Sequence, residues 1–438
     1  MRFLDLIHKK RDGESLAPEE IQFIIREYNR GKVPDYQMSA LLMAIYFQGL
    51  NNKETSAFTL SLAETGEMLD FSSLGKIVAD KHSSGGVGDK VTLVLAPLIA
   101  AAGVPVAKIS GRGLGFTGGT IDKLESIPGF SANLSIKEFT ELVRDNNLAI
   151  MAQTDLITPA DGKLYALRDV TGTIENISLI AASIMSKKIA AGAGAILLDV
   201  KTGRGAFMHS KEQAFQLAES MVRIGKEMGR RVVSVVTDMS QPLGFAVGNI
   251  LEVKEALSVL RGEGPSDVEQ LSLFLGGLML ALVGKVRNPE DGQEELSRLL
   301  KSGFALEKFK QMVTLQGGDP GYLEKEDLFP RASYLETLRA PRGGYLKEMD
   351  ALRVGKVASF LGAGRSVKGE TIDPTVGIVL TRKVGDSVEE GEVLAFLHGN
   401  KEEILSASLK ELGNAFLIAD DQVEPPEMIH GIVPPFPS

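Results

Sequence analysis

Three short runs of this sequence concentrate residue types that hold anions and steady a leaving group. The first is Asp80-Lys81-His82-Ser83-Ser84-Gly85-Gly86-Val87-Gly88-Asp89. Glycines let the backbone approach an anion and turn its amides inward. Lys81 and Ser83 add a charge and a hydroxyl. The run leaves a predicted strand and enters a predicted helix, whose start supplies further donors and a partial positive charge. It is no P-loop, because Lys90 follows Asp89 and no Gly-Lys-Ser/Thr occurs there. Alone, it fits a plain Gly-rich turn as well as a phosphate site.

The second run extends from Lys108 to Glu125. It holds five glycines, the hydroxyls of Ser110, Thr117 and Thr120, and the flanking cations Lys108 and Lys123. That density suits a second wall of an oxyanion pocket better than a generic loop. The third run carries Arg168 and then Ser183-Ile-Met-Ser-Lys187-Lys188. With Ile180 to Ala190 helical, Ser183 and Lys187 share a face at i, i+4 spacing. A solvated helix face is the plainer reading of such a lysine. Apolar neighbours and adjacent serines point to a cleft.

The elements that must position these runs can be read from hydrophobic period. Ile21, Ile24, Ile25 and Tyr28 form one helical stripe. Ser15 is its expected cap, with Pro18, Glu19 and Glu20 in its first turn. Helices around Met38–Phe47 and Lys53–Leu62 complete a small helical unit, residues 1–70, to which residues 160–190 add helices. From Lys76 onward, short apolar runs alternate with helical stretches. Strands are expected at Ile77–Ala79, Val106–Ile109, Leu148–Met151, Ala195–Val200 and Val232–Val236. Such alternation predicts a mostly parallel α/β sheet over 71–335, with ligands at the carboxyl ends of its strands. Ala340–Gly344 reads as a linker. Beyond it, Val376–Thr381 and Val393–Leu397 flank Val384-Gly-Asp-Ser-Val-Glu-Glu-Gly and resemble the hairpin of lipoyl or biotinyl carriers. No modifiable lysine is evident at the turn, so residues 345–438 read as a structural or dimer-supporting β-rich domain. The tail beyond Pro425 is Pro-rich and expected to be irregular. The fold class is thus mixed α/β: a small helical domain, a large α/β domain and a C-terminal α+β domain.

Composition agrees. The 438 residues exceed one compact core, and 44% hydrophobic with 24% charged residues is ordinary for a globular chain. A net charge of −9 provides no global field for nucleic acid. There is no cysteine, which excludes disulfides and thiolate metal sites and fits a cytoplasmic location. The charged N-terminus is not a signal peptide, and Leu93–Val106 reads as a buried helix rather than a membrane span.

Together, SGRGLGFTGGTIDKLES, KHSSGGVGD, YALRDVTGT and SIMSKK resemble the thymidine and pyrimidine-nucleoside phosphorylase family in the same order, along essentially the whole chain. The resemblance implies a homodimer with its active site in the cleft between helical and α/β domains. It implies a phosphate pocket of Lys81, His82, Ser83, Thr92, Lys108, Ser110 and Thr120. It implies a base-binding set of His82, Arg168, Ser183 and Lys187, with Leu114 and Phe207 as apolar walls. Phe116 stands where relatives usually have His, and Ser84 replaces a usual Thr. The implied reaction is attack of inorganic phosphate on C1′ of a pyrimidine nucleoside, with Arg168, Lys187 and His82 catalytic and no cofactor required. The stretch Val106-Ala107-Lys108-Ile109-Ser110 resembles the broad pyrimidine enzymes, so uridine, thymidine and deoxyuridine are expected substrates. A thymidine-restricted enzyme, a phosphoribosyltransferase of similar architecture and a non-catalytic nucleoside-binding protein remain as alternatives.

The resemblance also implies a K⁺ site, formed by the Gly88, Leu243 and Ala246 carbonyls and the Glu255 carboxylate. Here the relatives' hydroxyl ligand at position 90 is replaced by Lys90. An ammonium has donors and no acceptor, so Lys90 is expected to occupy the cation's place, the alternative being that it faces solvent while K⁺ binds the remaining oxygens.

Overall fold

A computed structural model describes residues 1–113, 118–365 and 370–435. The N-terminal unit is four helices: Phe3–Arg11, Pro18–Asn29, Asp35–Gln48 and Asn52–Ala63. Their apolar stripes close one core with Ala160 and Leu164 of helix Pro159–Thr171 and Leu179 and Ala182 of helix Ile177–Ala190. The cap of the second helix is Ala17, not Ser15. Glu20 reaches back to accept the Ala17 N–H at 2.7 Å.

The central sheet contains β1 (Ala79–Ser83), β2 (Val106–Ser110), β3 (Leu148–Ala152), β4 (Ala195–Thr202) and β5 (Arg231–Asp238). These five are parallel, in the spatial order β5-β4-β1-β2-β3. The chain builds outward from β1 to β3, then returns to the other side of β1 for β4 and β5. The switch point therefore lies beside β1, where open α/β sheets receive ligands. Side chains alternate across the sheet, as in β4, where Leu197 faces one core and Ile196 and Leu198 the other.

β1 begins at Ala79, where the expected strand Ile77–Ala79 ends. A scan for apolar runs stops at Asp80, but charged residues continue the strand. Asp80 through Ser83 pair in register with Ile196 through Asp199. They can be buried because ion pairs compensate their charge.

Helix Ser266–Val283 is long and apolar enough to cross a membrane. Here it is a core helix: Leu271, Leu275 and Leu278 are buried, and it packs on β4, β5 and helix Val91–Ala101.

The C-terminal part has two small antiparallel sheets. One orders Ser387–Val388, Gly344–Met349 and Phe416–Ala419. The other orders Ala246–Val247, Gly377–Leu380, Val393–Gly399 and Tyr334–Arg339. Ala340–Gly344 is not a linker. It joins two of these strands, with Ala340 buried and bonded through its backbone to Glu392 and Gly391. The C-terminal sheets thus begin at Tyr334, ahead of the expected boundary. The tail is not irregular either. Ile429–Val433 pairs antiparallel with β5 and closes the edge of the central sheet. Prolines at 425, 426, 434 and 435 flank this short strand and mask it in the sequence.

Candidate active site

Helix Ile177–Ala190 explains the site's location. Leu179 and Ala182 pack into the helical unit while Ala181, Met185 and Ile189 pack against the sheet. The same helix presents Ser183 and Lys187. Lys187 Nζ donates to Ser183 Oγ at 3.0 Å and forms a short ion pair with Asp161, a buried carboxylate on helix Pro159–Thr171. Lys187 keeps part of its surface open.

Arg168 is buried at the end of that helix. Its Nε donates to the Thr173 carbonyl at 3.1 Å, Nη1 to Leu179 at 3.4 Å and Nη2 to Ile174 at 2.7 Å. A guanidinium has five N–H groups, so one on each Nη remains for a ligand.

On the sheet side, Lys81 Nζ lies 3.2 Å from Asp199 Oδ2 and 3.7 Å from Asp89 Oδ2, yet makes no hydrogen bond of good geometry. It is a buried ammonium short of acceptors, suited to an anion. Lys108, on β2, donates to the Lys81 carbonyl at 2.7 Å and lies 3.6 Å from Asp80 Oδ1. Burial pushes Lys108 down to about 7; Asp80 opposes this, and the charges of Lys188 and Lys81 add to it. Thr92, in the first turn of helix Val91–Ala101, lines a small void with Asp80, Lys81 and Lys108. Ser83 Oγ accepts from the Gly85 N–H at 3.2 Å. Ser110 ends β2, and Thr120 opens helix Thr120–Glu125.

His82 connects the two sides. Burial first, then the positive charges of Lys188, Lys108, Lys81 and Lys187, hold it well below the ordinary histidine value. It is therefore a neutral imidazole at neutral pH. Phe207, half-exposed, lies over the first glycine run: a Cβ on Gly85 would meet its ring at 3.2 Å. Leu114 and Phe116 lie outside the described residues.

The two glycine runs are tied together. Lys123, fully buried, donates to the Asp89 carbonyl at 2.8 Å and pairs with Glu252 at 2.6 Å. Lys90 is also fully buried. Its Nζ donates to the Leu243 carbonyl at 2.8 Å, to Ala246 at 2.9 Å and to Glu255 through a short contact. Burial pushes Lys90 down, but Glu255 and Glu252 outweigh it and hold the ammonium charged. A Cβ on Gly88 would lie 2.6 Å from the Leu243 oxygen, so the first glycine run packs directly on this nest. Among the described residues no group of three or more His, Cys, Asp and Glu side chains is arranged to hold a metal ion.

Motif reading missed the countercharges: Asp80, Asp161, Lys188, Asp199 and Lys201. One signal was available. Asp199 and Lys201 interrupt an apolar strand at spacing two, which puts both on one face, and their side chains lie 2.8 Å apart.

Comparison with known proteins agrees with this geometry. Residues 4–66 match the helical bundle domain of the Glycosyl transferase family, 75–306 match its a/b domain, and 345–419 match the Pyrimidine nucleoside phosphorylase C-terminal domain. A pyrimidine-nucleoside phosphorylase of Geobacillus stearothermophilus is 51% identical over 430 residues, 98% of this chain and 99% of that protein. One from Staphylococcus epidermidis is 51% identical over 433 residues, covering 99% of this chain and all of the relative. One from Staphylococcus aureus (strain USA300) is 50% identical over the same length. The crystal structure of anthranilate phosphoribosyltransferase from Thermus thermophilus superposes with a TM-score of 0.59 at 20% identity, covering 71% of this chain and 99% of that one, and shares the fold. The chain belongs to the pyrimidine-nucleoside phosphorylase family of pentosyl-transferring enzymes.

Proposed function

We propose that this enzyme splits pyrimidine nucleosides with inorganic phosphate, using Lys81, Lys108, Ser83, Thr92, Ser110 and Thr120 for phosphate and Arg168, Ser183 and Lys187 for the base. The observation that carries the assignment is the pair of buried ammonium groups on adjacent strands at the switch point of the sheet, Lys81, which makes no hydrogen bond of its own, and Lys108, which donates to the Lys81 carbonyl. A phosphate oxygen forms a bond to C1′ as the C1′–N1 bond breaks, and the bonding pair leaves with the pyrimidine. Lys187 and the two spare N–H groups of Arg168 then face the charge that develops on the ring. His82 donates a hydrogen bond as a neutral imidazole; the surrounding ammonium charges oppose a role as proton donor. Ser183, bonded to Lys187, fixes ring orientation. Phosphate already carries the attacking oxygen, so no divalent ion is required to generate it.

Broad use of uridine, thymidine and deoxyuridine, a cytoplasmic homodimer, and Phe207 and Leu114 as walls for the base belong to the same reading. The Lys90 ammonium takes the role of a structural K⁺, because the Leu243, Ala246 and Glu255 oxygens are already engaged with it.

The test is a metal-free phosphorolysis panel of thymidine, uridine, deoxyuridine and cytidine. Phosphate-dependent release of base from the first three is expected. No release from any of them would overturn the reading. Turnover that requires Mg²⁺ and a pyrophosphorylated sugar would favour the phosphoribosyltransferase alternative.

A further inference from the structure

The second glycine run is cinched at its neck by a residue from the C-terminal part of the chain. Asp122 sits in the first turn of helix Thr120–Glu125 with its side chain almost wholly buried. Its Oδ2 accepts the Gly113 N–H at 2.7 Å. Arg365 grips both of its oxygens, Nη1 on Oδ2 at 2.8 Å and Nη2 on Oδ1 at 2.7 Å. The same Nη1 reaches the Gly113 carbonyl at 3.3 Å, and Arg365 Nε is anchored on the Glu370 carbonyl at 2.9 Å.

Gly119 closes the neck from the other side. A Cβ there would lie 2.1 Å from Gly113 N and 2.8 Å from Asp122 Oδ2. The backbone therefore passes itself at Gly113 and Gly119, three residues after Ser110 and one before Thr120. The spacing of these two hydroxyl residues depends on the neck staying closed.

We propose that Arg365 is a positioning residue for phosphate, holding Ser110 and Thr120 at their working separation through Asp122. This rests on the assignment of Ser110 and Thr120 to the phosphate pocket. A guanidinium suits the task because its planar fork meets a carboxylate at two points, which fixes orientation as well as distance. Arg112 lies 3.5 Å from the same carboxylate but is paired with Glu125. It stands in for Arg365 as a charge, not as a clamp on Gly113.

The test compares Arg365→Met and Arg365→Lys with the parent full-length enzyme, varying phosphate and uridine separately. Arg365→Met should raise the phosphate KM by about tenfold and leave the uridine KM within about twofold. Arg365→Lys should recover only part of this, since a point charge cannot span both oxygens. Asp122→Asn, which keeps an acceptor for Gly113 N–H but loses the ion pair, should reproduce the Met phenotype, and the two changes together should be less than additive. A folded Arg365→Met enzyme with unchanged phosphate KM, or with both KM values raised equally, would overturn the proposal. Phosphate-induced thermal stabilisation supplies a readout that needs no nucleoside. If the parent turns over no nucleoside, the functional reading fails. The positioning role then stands or falls on whether phosphate stabilises the parent more than Arg365→Met.

Discussion

Lys188 and Asp80 form a buried ion pair, Nζ to Oδ2 at 2.8 Å, that joins helix Ile177–Ala190 to β1. Lys188 follows Lys187 in sequence, and Asp80 precedes Lys81. The pair thus links the segment proposed to meet the base to the strand proposed to meet phosphate. Asp80 also faces Lys108 from its other oxygen, at 3.6 Å.

The two adjacent lysines should therefore behave differently. Lys188→Met removes the partner of a fully buried carboxylate, and breaking such a pair costs about 3–5 kcal/mol. Denaturant unfolding should show a large loss of stability. Lys187→Ala also strips a buried carboxylate, Asp161, of its partner, but Lys187 is partly open to water, so the loss of stability should be smaller than for Lys188→Met. Turnover should fall by about 10²–10³-fold through lost stabilisation of the leaving group. A Lys187→Ala enzyme with near-normal kcat/KM would remove that residue from the mechanism.

Arg168 combines both roles. Its guanidinium donates to the Thr173, Ile174 and Leu179 carbonyls, and the proposed function assigns its two remaining Nη N–H groups to the base. Arg168→Ala should collapse turnover and also lower stability by about 1–3 kcal/mol as those carbonyls lose their donor. Arg168→Lys should restore some stability without restoring turnover, because an ammonium cannot reproduce the fork. Loss of turnover with no change in unfolding would show that the carbonyl contacts contribute nothing.

Much of this arrangement is legible in the sequence. The glycine runs, the Ser183–Lys187 spacing and the alternation of strands and helices are local patterns, and local patterns survive in one dimension. The countercharges are not local. Asp161 and Lys187 are 26 positions apart, and Asp80 and Lys188 are 108 apart. Their pairing is decided by sheet order, which a motif does not carry. The start of β1 is misplaced in the sequence for a related reason. Asp80 and Lys81 look like loop residues until their partners on β4 and helix Ile177–Ala190 are known. The closing strand Ile429–Val433 is hidden because its partner, β5, lies far earlier in the chain.

With Lys108 in the proposed phosphate pocket, anion binding should depend on pH. Burial pushes its ammonium down to about 7 from an ordinary 10.5. Below about 7 the charge is present, and as pH rises through that value it is lost, so affinity for an anion falls. A bound dianion favours the protonated form, so binding takes up a proton. Phosphate itself titrates nearby, so sulfate, whose charge stays constant, is the better probe. Its inhibition constant against phosphate should rise with pH above about 7, by up to about tenfold per unit. Lys108→Gln should flatten that rise. An inhibition constant for the parent that does not change with pH would place the anion's charge partners elsewhere.

Lys90 sets the last prediction. Its ammonium donates to Leu243, Ala246 and Glu255, and it is completely buried. These groups support the first glycine run from below, because Leu243 N donates to the Val87 carbonyl at 3.1 Å and Gly88 packs on the Leu243 oxygen. A positive charge is needed there to gather two carbonyls and a carboxylate. A lysine provides it covalently, with no dependence on ion concentration. Activity should therefore hardly change between K⁺-containing and K⁺-free buffers. Lys90→Thr removes the charge, leaves Glu255 uncompensated and supplies a hydroxyl acceptor in its place. That variant should unfold at lower temperature in K⁺-free buffer and regain stability as K⁺ is added, following simple mass action. Its phosphorolysis should become K⁺-dependent in parallel. Lys90→Met, which offers no oxygen, should lose stability without K⁺ rescue. Strong K⁺ activation of the unmodified enzyme, or a Lys90→Thr variant indifferent to K⁺ in both stability and rate, would show that the ammonium does not fill this role.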